Sequence, residues 1–521
     1  MARVSPDPRI ASAYVVLFGH YGDVTRQARQ RQISRQGLYR QAAQLLATLE
    51  QQRTQVQQLR QQVRQLTDQV HHLQQRLDQA VVLDDDQQAE FASVGQACGV
   101  SLPDCQTLLE VLRPGGILSV PTLGRRTQAA ARQAGRLLPV LDDLARQKAR
   151  DGAADEIYVK DPVLMIVEQH SLCWLYGRLA QSVEGKDWCA AFRQFPRLEQ
   201  LARDGGSALQ KGMALINTER QEHQQAPVVD QGDHFHALRP GGAGLRKAQQ
   251  RASKALTAAE QAQKKWQAVH QRGDSHWQES CQQARRAWEK AEQVMDEWIE
   301  LERTWEQTQA ALRLITPEGT LNSRAQAEAV LAQTLPRLPD ADFAKAKAAL
   351  QKPEMLSYLD RVQQQIAELP YAPEVKDAAV QQECLRRSPA LLRGEGAAAA
   401  ARRGVLLVCA VVLSQAGGVG SQAVAAVREI LSRAYRASSL VECINSVLRM
   451  QQARHRKLTQ GLLDLKRLYW NTHTFRTGRR RGQTPFQLLG VPWPEGMTWW
   501  QVLKLSPEQL RDKLSTAKQA A

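Results

Sequence analysis

Apolar and polar positions divide the chain into stretches of different period. From Leu49 they follow a heptad, with Leu49, Val56, Val63, Val70 and Leu77 at one core position and Leu59, Leu66 and Leu73 at the other. Val at a and Leu at d is the seam of a parallel two-stranded coiled coil, here over residues 45–82. Ahead of it, Ile10 to Phe18 predicts a first helix, Asp23 caps a second and Ser34 caps a third. That is helix-turn-helix spacing over residues 1–44, and the third helix can run directly into the coiled coil. Asp84-Asp85-Asp86 reads as a break. Beyond it, Phe91 to Cys98, a turn at Gly99 and Leu102 to Leu112 predict a second helix-turn-helix, ended by Arg113-Pro114-Gly115-Gly116. Ser119 then opens a basic helix, and the whole second module spans residues 83–150.

Near residue 154 the pattern shortens. Ile157 to Val159, Val163 to Val167 and Leu172 to Leu179 read as three strands, Trp188 to Phe192 as a helix, and Leu198 to Ala202 as a fourth strand leading into Asp204-Gly205-Gly206-Ser207. Residues 244–312, broken at Arg272-Gly273-Asp274, predict two long antiparallel helices. Trp266, Trp277, Trp288, Trp298 and Trp305 punctuate them, and Trp277 and Trp288 share a face. Core packing explains most of these rings, with stacking on a flipped base the other reading for one of them. Pro336, Pro339, Pro353, Pro370 and Pro373 break the next stretch into shorter helices, and Val405 to Leu413 reads as a buried helix. Trp493, Trp499, Trp500 and a helix capped near Ser506 make an appended element over residues 491–521.

Length and charge narrow the class. A chain of 521 residues exceeds one core, so several domains are expected. With 69 basic against 53 acidic residues, a net charge of +16 calls for a polyanionic partner, and double-stranded DNA is the natural one. No membrane partner is expected, because no N-terminal signal is read and the longest apolar run falls short of the ~20 residues that span a bilayer. Eight cysteines without a CxxC pair argue against a zinc ribbon or a secreted disulfide framework and point to a reducing cytoplasm, associated with the nucleoid. Arg35, Gln36, Tyr39 and Arg40 are suited to meet bases and phosphates in a major groove. Arg125 and Arg126, with Arg132 and Arg136, are spaced to follow a phosphate backbone, and Arg479, Arg480 and Arg481 end a basic run that can grip one.

The candidate chemistry is acidic. Asp155 lies at the start of the first strand and Asp204 follows the fourth, so their carboxylates can converge on the same metal ions, with glycines allowing close backbone approach. Glu156 points to the opposite face of the strand, and Glu168 is a distant competitor. This β-β-β-α-β order, together with Asp233-His234-Phe235-His236 as a DxxH pattern and a helix from Ser438 to Arg449 carrying Glu442 and Asn445, resembles the DDE transposase and integrase superfamily. Mutator-like, hAT-like and related bacterial insertion-sequence transposases are the nearest in pattern, over roughly residues 150–240 and 430–490.

The resemblance implies an α+β multidomain protein, mostly helical, whose RNase H-like catalytic core (residues 151–240 and 431–490) is interrupted by an all-helical insertion (residues 241–430). It implies that Asp155, Asp204 and Glu442 are the catalytic residues and hold two Mg²⁺ or Mn²⁺ ions roughly 3.5 to 4 Å apart for DNA cleavage and strand transfer. Asp233 and His236 are read as ordering the site, and for His236 a DNA contact or an ordinary structural hydrogen bond are the alternatives. The implied partners are element ends and target as double-stranded DNA, in a homodimer or higher oligomer. A second reading is a non-catalytic dimeric DNA-binding regulator derived from a transposase, which explains charge and coiled coil but leaves the acids idle.

Overall fold

A computed structural model describes residues 8–79, 83–113, 115–454 and 458–519, which fall into two units, residues 1–83 and 84–521. In the first unit, α1 (Pro8–Phe18) and α2 (Asp23–Gln30) pack on the start of α3 (Arg35–Gln79). Gly22 takes φ 94°, where a side chain would be strained, and turns the chain into α2. Ser34 Oγ accepts the Gly37 amide at 3.1 Å and starts α3, as a cap should. Leu38 and Ala42 are buried against Ala13 and Ala28. Those two positions lie on the backward extension of the heptad frame, so α1 and α2 cover the beginning of the same seam. Helix α3 runs unbroken for 45 residues in all, and from Leu49 onward its apolar face is left exposed among the described residues: Val63 is 61% and Leu66 59% exposed. The side chain of Leu77 lies outside the described residues.

The second unit is α+β and mostly helical. It opens with α4 (Asp85–Cys98), α5 (Leu102–Leu112) and α6 (Val120–Arg146). The three aspartates expected to break the chain do so by starting a helix: Asp84 caps α4 in a reciprocal capping box with Gln87. Five strands follow, β1 (Asp151–Val159), β2 (Asp161–Glu168), β3 (Trp174–Leu179), β4 (Gln200–Arg203) and β5 (Val229–Gly232), in the sheet order β3-β2-β1-β4-β5. Strand β2 is antiparallel to β1 and β3, whereas β4 and β5 run parallel to β1. Between β3 and β4 lies α7 (Gly185–Phe192), and α8 (Ser207–Glu222) follows β4.

Strand β1 begins at Asp151, six residues before its apolar run at Ile157, so Asp155 sits in mid-strand and not at its start. The early part, Asp151-Gly152-Ala153-Ala154, carries no large apolar residue yet is entirely buried. Gly152 is required there, because a Cβ would lie 2.8 Å from a methyl of Leu201 on β4. Strand β5 has no counterpart among the expected strands. Alternation along β1 sends Ala153, Ile157 and Val159 to one core and Ala154 to the other, against Trp188 and Phe192 of α7.

From β5 onward the elements of the described residues are helices, apart from one isolated antiparallel bridge between Ile315 and Leu321. The long hairpin is present as α9 (His234–Gln271) and α10 (Trp277–Ala311), turning at Gly273. Trp305 is core, 5.7 Å from Phe343, and Trp288 donates to Gln263 at 2.7 Å, while Trp277 is 40% exposed. Helices α11 (Arg324–Thr334), α12 (Asp340–Leu350), α13 (Ser357–Ala367), α14 (Pro373–Arg387), α15 (Ala397–Gln415) and α16 (Gly418–Ser432) follow. The helix expected to be buried, Val405 to Leu413, is largely exposed within α15: Leu407 is 69% and Val408 64% accessible, and only Cys409 and Leu413 of that run are buried. Its apolar residues surround the helix, and a wholly apolar run does not reveal how much of it is covered. Among the described residues α15 alone is long and apolar enough to cross a membrane by length and composition.

Helix α17 (Ser439–Arg454) returns to the sheet, placing Val441, Ile444 and Leu448 on the β1 face. Helix α18 (Gln460–Thr472) packs on α6 and β3. The C-terminal segment, α19 (Pro485–Leu489), α20 (Trp499–Val502) and α21 (Pro507–Gln519), is integrated: Trp500, Leu510 and Leu514 join the core of α6. A buried ion pair fastens the helical stretch to the sheet. Arg361 of α13 donates to Asp151 at 2.6 Å, to Gln200, and to Glu199 at 2.8 Å.

Candidate active site

Strand register brings the first two acids together. Ala154 pairs with Arg203 at the end of the parallel ladder, so Asp155 and Asp204 are the next residues on the two adjoining strands, where the backbones part. Asp155 is 6% exposed; its Oδ1 accepts the Glu156 amide at 2.8 Å and its Oδ2 accepts Asn445 Nδ2 at 2.7 Å. Burial, then the neighbouring Asp204 charge, push its carboxyl up to about 6 against the bonds from Asn445 and Glu156. Asp204 Oδ1 accepts the Gly206 amide at 2.9 Å, closing the Asp-Gly-Gly turn on itself.

A second acid orders the other side. Asp233 caps α9, accepting the Phe235 amide at 2.6 Å, and its other oxygen takes His236 Nδ1 at 2.7 Å and the Ser438 hydroxyl. Burial works to raise its carboxyl, but the bonds from His236 and Ser438 hold it below the ordinary value. His236 is raised, first by its bond to Asp233 and further by the charges of Asp155 and Asp204, so its ring belongs to the same electrostatic cluster. Asp233 fixes the ring through Nδ1 and leaves Nε2 available, the arrangement that orients a histidine for a second partner. Because Ser438 immediately precedes α17, Asp233 also aligns the start of α9 with the start of α17.

The remaining candidates are placed elsewhere. Glu442 stands in the first turn of α17 with its carboxylate paired to Arg449 at 2.8 Å, while Asn445, three residues on, is the α17 side chain that reaches Asp155. Three residues turn a helix by ~300°, so the two side chains point ~60° apart. Glu156 lies on the opposite face of β1, raised by burial. Glu168 closes the turn after β2, accepting the Ser171 amide at 2.7 Å and the His170 amide at 3.1 Å. Arg35, Gln36, Tyr39 and Arg40 are all exposed on the first turns of α3. Arg125, Arg126, Arg132 and Arg136 are exposed along α6, with Arg125 touching Thr122 Oγ1 at 3.1 Å. Arg479 and Arg481 are exposed, but Arg480 turns inward and donates to the carbonyls of His170 at 2.8 Å and Gln169 at 3.0 Å.

Asp155 and Asp204 suit a hard divalent cation: two buried or half-buried oxygen donors whose mutual repulsion raises one of them. Asn445 Oδ1, buried beside them, has no hydrogen-bond partner. Among the described residues no group of three His, Cys, Asp or Glu is close enough to hold a metal, and Glu442 is turned to Arg449. No protein-family model, curated protein or solved structure matches the chain.

Proposed function

We propose that the protein is a DNA transposase of the DDE kind, with an RNase H-like catalytic core interrupted by the helices α9 to α16. The observation that carries the reading is the meeting of Asp155 and Asp204 at the parting of two parallel strands, with Asp155 raised to about 6 by burial and by Asp204. A purely structural pair of acids gains nothing from such a placement; a pair that shares a cation does. The strand order, the acid on β1, the acid after β4 and the return of α17 to the β1 face agree with the resemblance noted in the sequence.

Asp155 and Asp204 would hold the divalent ions, with an oxygen from α17 as third donor, Glu442 by the resemblance. When bound, the ions supply activation of the attacking oxygen and charge neutralisation at the phosphodiester. Asn445 keeps Asp155 oriented, and Asp233 keeps the His236 ring facing the acids. Water is the first nucleophile, and the released 3′-hydroxyl is the second, attacking a target phosphodiester. The exposed basic side chains of α3 and α6, and Arg479 and Arg481, bind duplex DNA, and the heptads of α3 pair two copies. Asp204→Asn should abolish Mg²⁺-dependent nicking and joining of DNA carrying the element's ends, with DNA binding retained. Glu442→Gln should do the same. If Glu442→Gln nicks at the wild-type rate while Asn445→Ala is inactive and folded, the third donor is Asn445. If Asp204→Asn nicks as well as wild type, the catalytic reading is wrong.

A further inference from the structure

A cleft of about 210 Å³ opens beside the two acids, between the Asp204 turn and the helical stretch. Asp204, Gly205 and His236 line one side, and Lys345 and Lys352 face them from α12 and the turn beyond it. Lys345 stands on α12 and Lys352 on extended backbone just past its end, and both line the cleft. Neither ammonium has a hydrogen-bond or ion-pair partner among the described residues, unlike Lys347 of the same helix, which binds Asp340 at 2.5 Å and the Leu338 carbonyl at 3.1 Å. The neighbouring Asp230 carboxyl, raised by burial, is offset first by Arg203 and only more weakly by the charge of Lys352. Arg203, 3% exposed, already pairs with Asp230 at 2.5 Å and with Glu354 at 3.6 Å.

The opposite wall combines the Asp204 and His236 side chains with the bare backbone of Gly205. A Cβ at Gly205 would lie 3.9 Å from Lys352 Nζ, so the cleft passes directly over backbone at this point. Two lysines without a hydrogen-bond or ion-pair partner among the described residues, facing glycine backbone beside an acid that would hold a cation, form a seat for a phosphate held apart from the metal-bound one.

We propose that Lys345 and Lys352 bind a backbone phosphate of the DNA strand next to the one being cut, so that the helical stretch supplies half of the substrate grip. This rests on the catalytic reading above for its substrate. The test is lysine acetylation of the full chain, read by peptide mass spectrometry, with and without a short DNA duplex bearing a single-stranded 3′ extension. DNA should protect Lys345 and Lys352 by about threefold or more at low salt, and protection should fade as salt is raised. A variant with Lys345→Gln and Lys352→Gln should show a shallower salt dependence of binding to that duplex, by about one to two in log–log slope. Equal acetylation of both lysines with and without DNA overturns the proposal, as does equal protection by inorganic phosphate. Protection without Mg²⁺-dependent nicking would leave the phosphate seat standing and remove the catalytic reading; nicking without protection would do the reverse.

Discussion

The two units break the inside–outside rule in opposite directions. In the first, Val56, Leu59, Val63, Leu66, Val70 and Leu73 stand about half exposed on one face of α3. In the second, Asp155 and Asp233 are buried at 6% and 3%. Single exposed apolar residues are ordinary, but a regular seam of them is not, and buried carboxylates persist only where something compensates them. The contrast teaches that each unit is incomplete in a chemically defined way. The seam meets no second apolar seam among the described residues, and Asp155, unlike Asp233 with its bonds from His236 and Ser438, faces a second carboxylate, Asp204.

Three measurements can break or sharpen this contrast. The largest effect is expected from Val63→Asp with Leu66→Asp, which places charges in the centre of the seam. The mass of the full chain by light scattering should fall from dimer to monomer, and metal-dependent nicking by isolated chains should no longer depend on the first unit. A wild-type chain that is monomeric at micromolar concentration would remove the seam from the comparison.

The second concerns Asp155. Its carboxyl rises from 3.8 to about 6 on folding, so the native state holds the proton more tightly than the unfolded chain. Stability is therefore lost as pH rises between those values, and the full penalty applies above about 6. Asp155→Asn removes that penalty, so it should be more stable than wild type by about 1 to 3 kcal/mol at neutral pH, with the advantage gone near about pH 4. Thermal unfolding at the two pH values measures it. Mg²⁺ should raise the melting temperature of wild type and not of the variant; equal pH profiles for both proteins would mean the acid pair is not strained.

The smallest effect separates exposure from incompleteness. Helix α15 is also apolar and exposed, but it has no heptad frame. Leu407→Gln with Val411→Gln should change stability by less than about 0.5 kcal/mol each and leave the oligomer mass unchanged. A loss of mass would add α15 to the assembly surface.

What could be read from sequence follows from how each feature is encoded. The heptad of α3 and the three apolar strands were legible because their periods are written in side-chain size. The start of β1 was not, because Gly152, Ala153 and Ala154 are buried by being small. Strand β5 was not, because Gln231 is buried through hydrogen bonds, donating to the Met355 carbonyl at 3.3 Å and accepting the Tyr358 amide at 2.8 Å, contacts more than a hundred residues away in the chain. The Asp155 and Asp204 pair was visible from strand order. Which α17 side chain meets Asp155 was not, since it depends on the rotation of the helix about its axis, although Asn445 was already part of the Glu-x-x-Asn pattern. Lys345 and Lys352 left no signal at all, because one lysine on an Ala-rich helix and another just past its end look like any solvated surface.

The uninterrupted course of α3 has a mechanical consequence. Arg35 and Gln79 belong to one rod of 45 residues, about 67 Å long at 1.5 Å per residue, with no proline or glycine between Leu38 and Gln79 to act as a joint. The azimuth of Tyr39 is thereby keyed to the azimuth of Leu66, as a cam is keyed to its shaft. One residue added between them would turn the Tyr39 face by about 100°, whereas seven would return it to within about 20° of its original bearing. The bearing of the Tyr39 face about the rod is thus set by the register of the apolar seam.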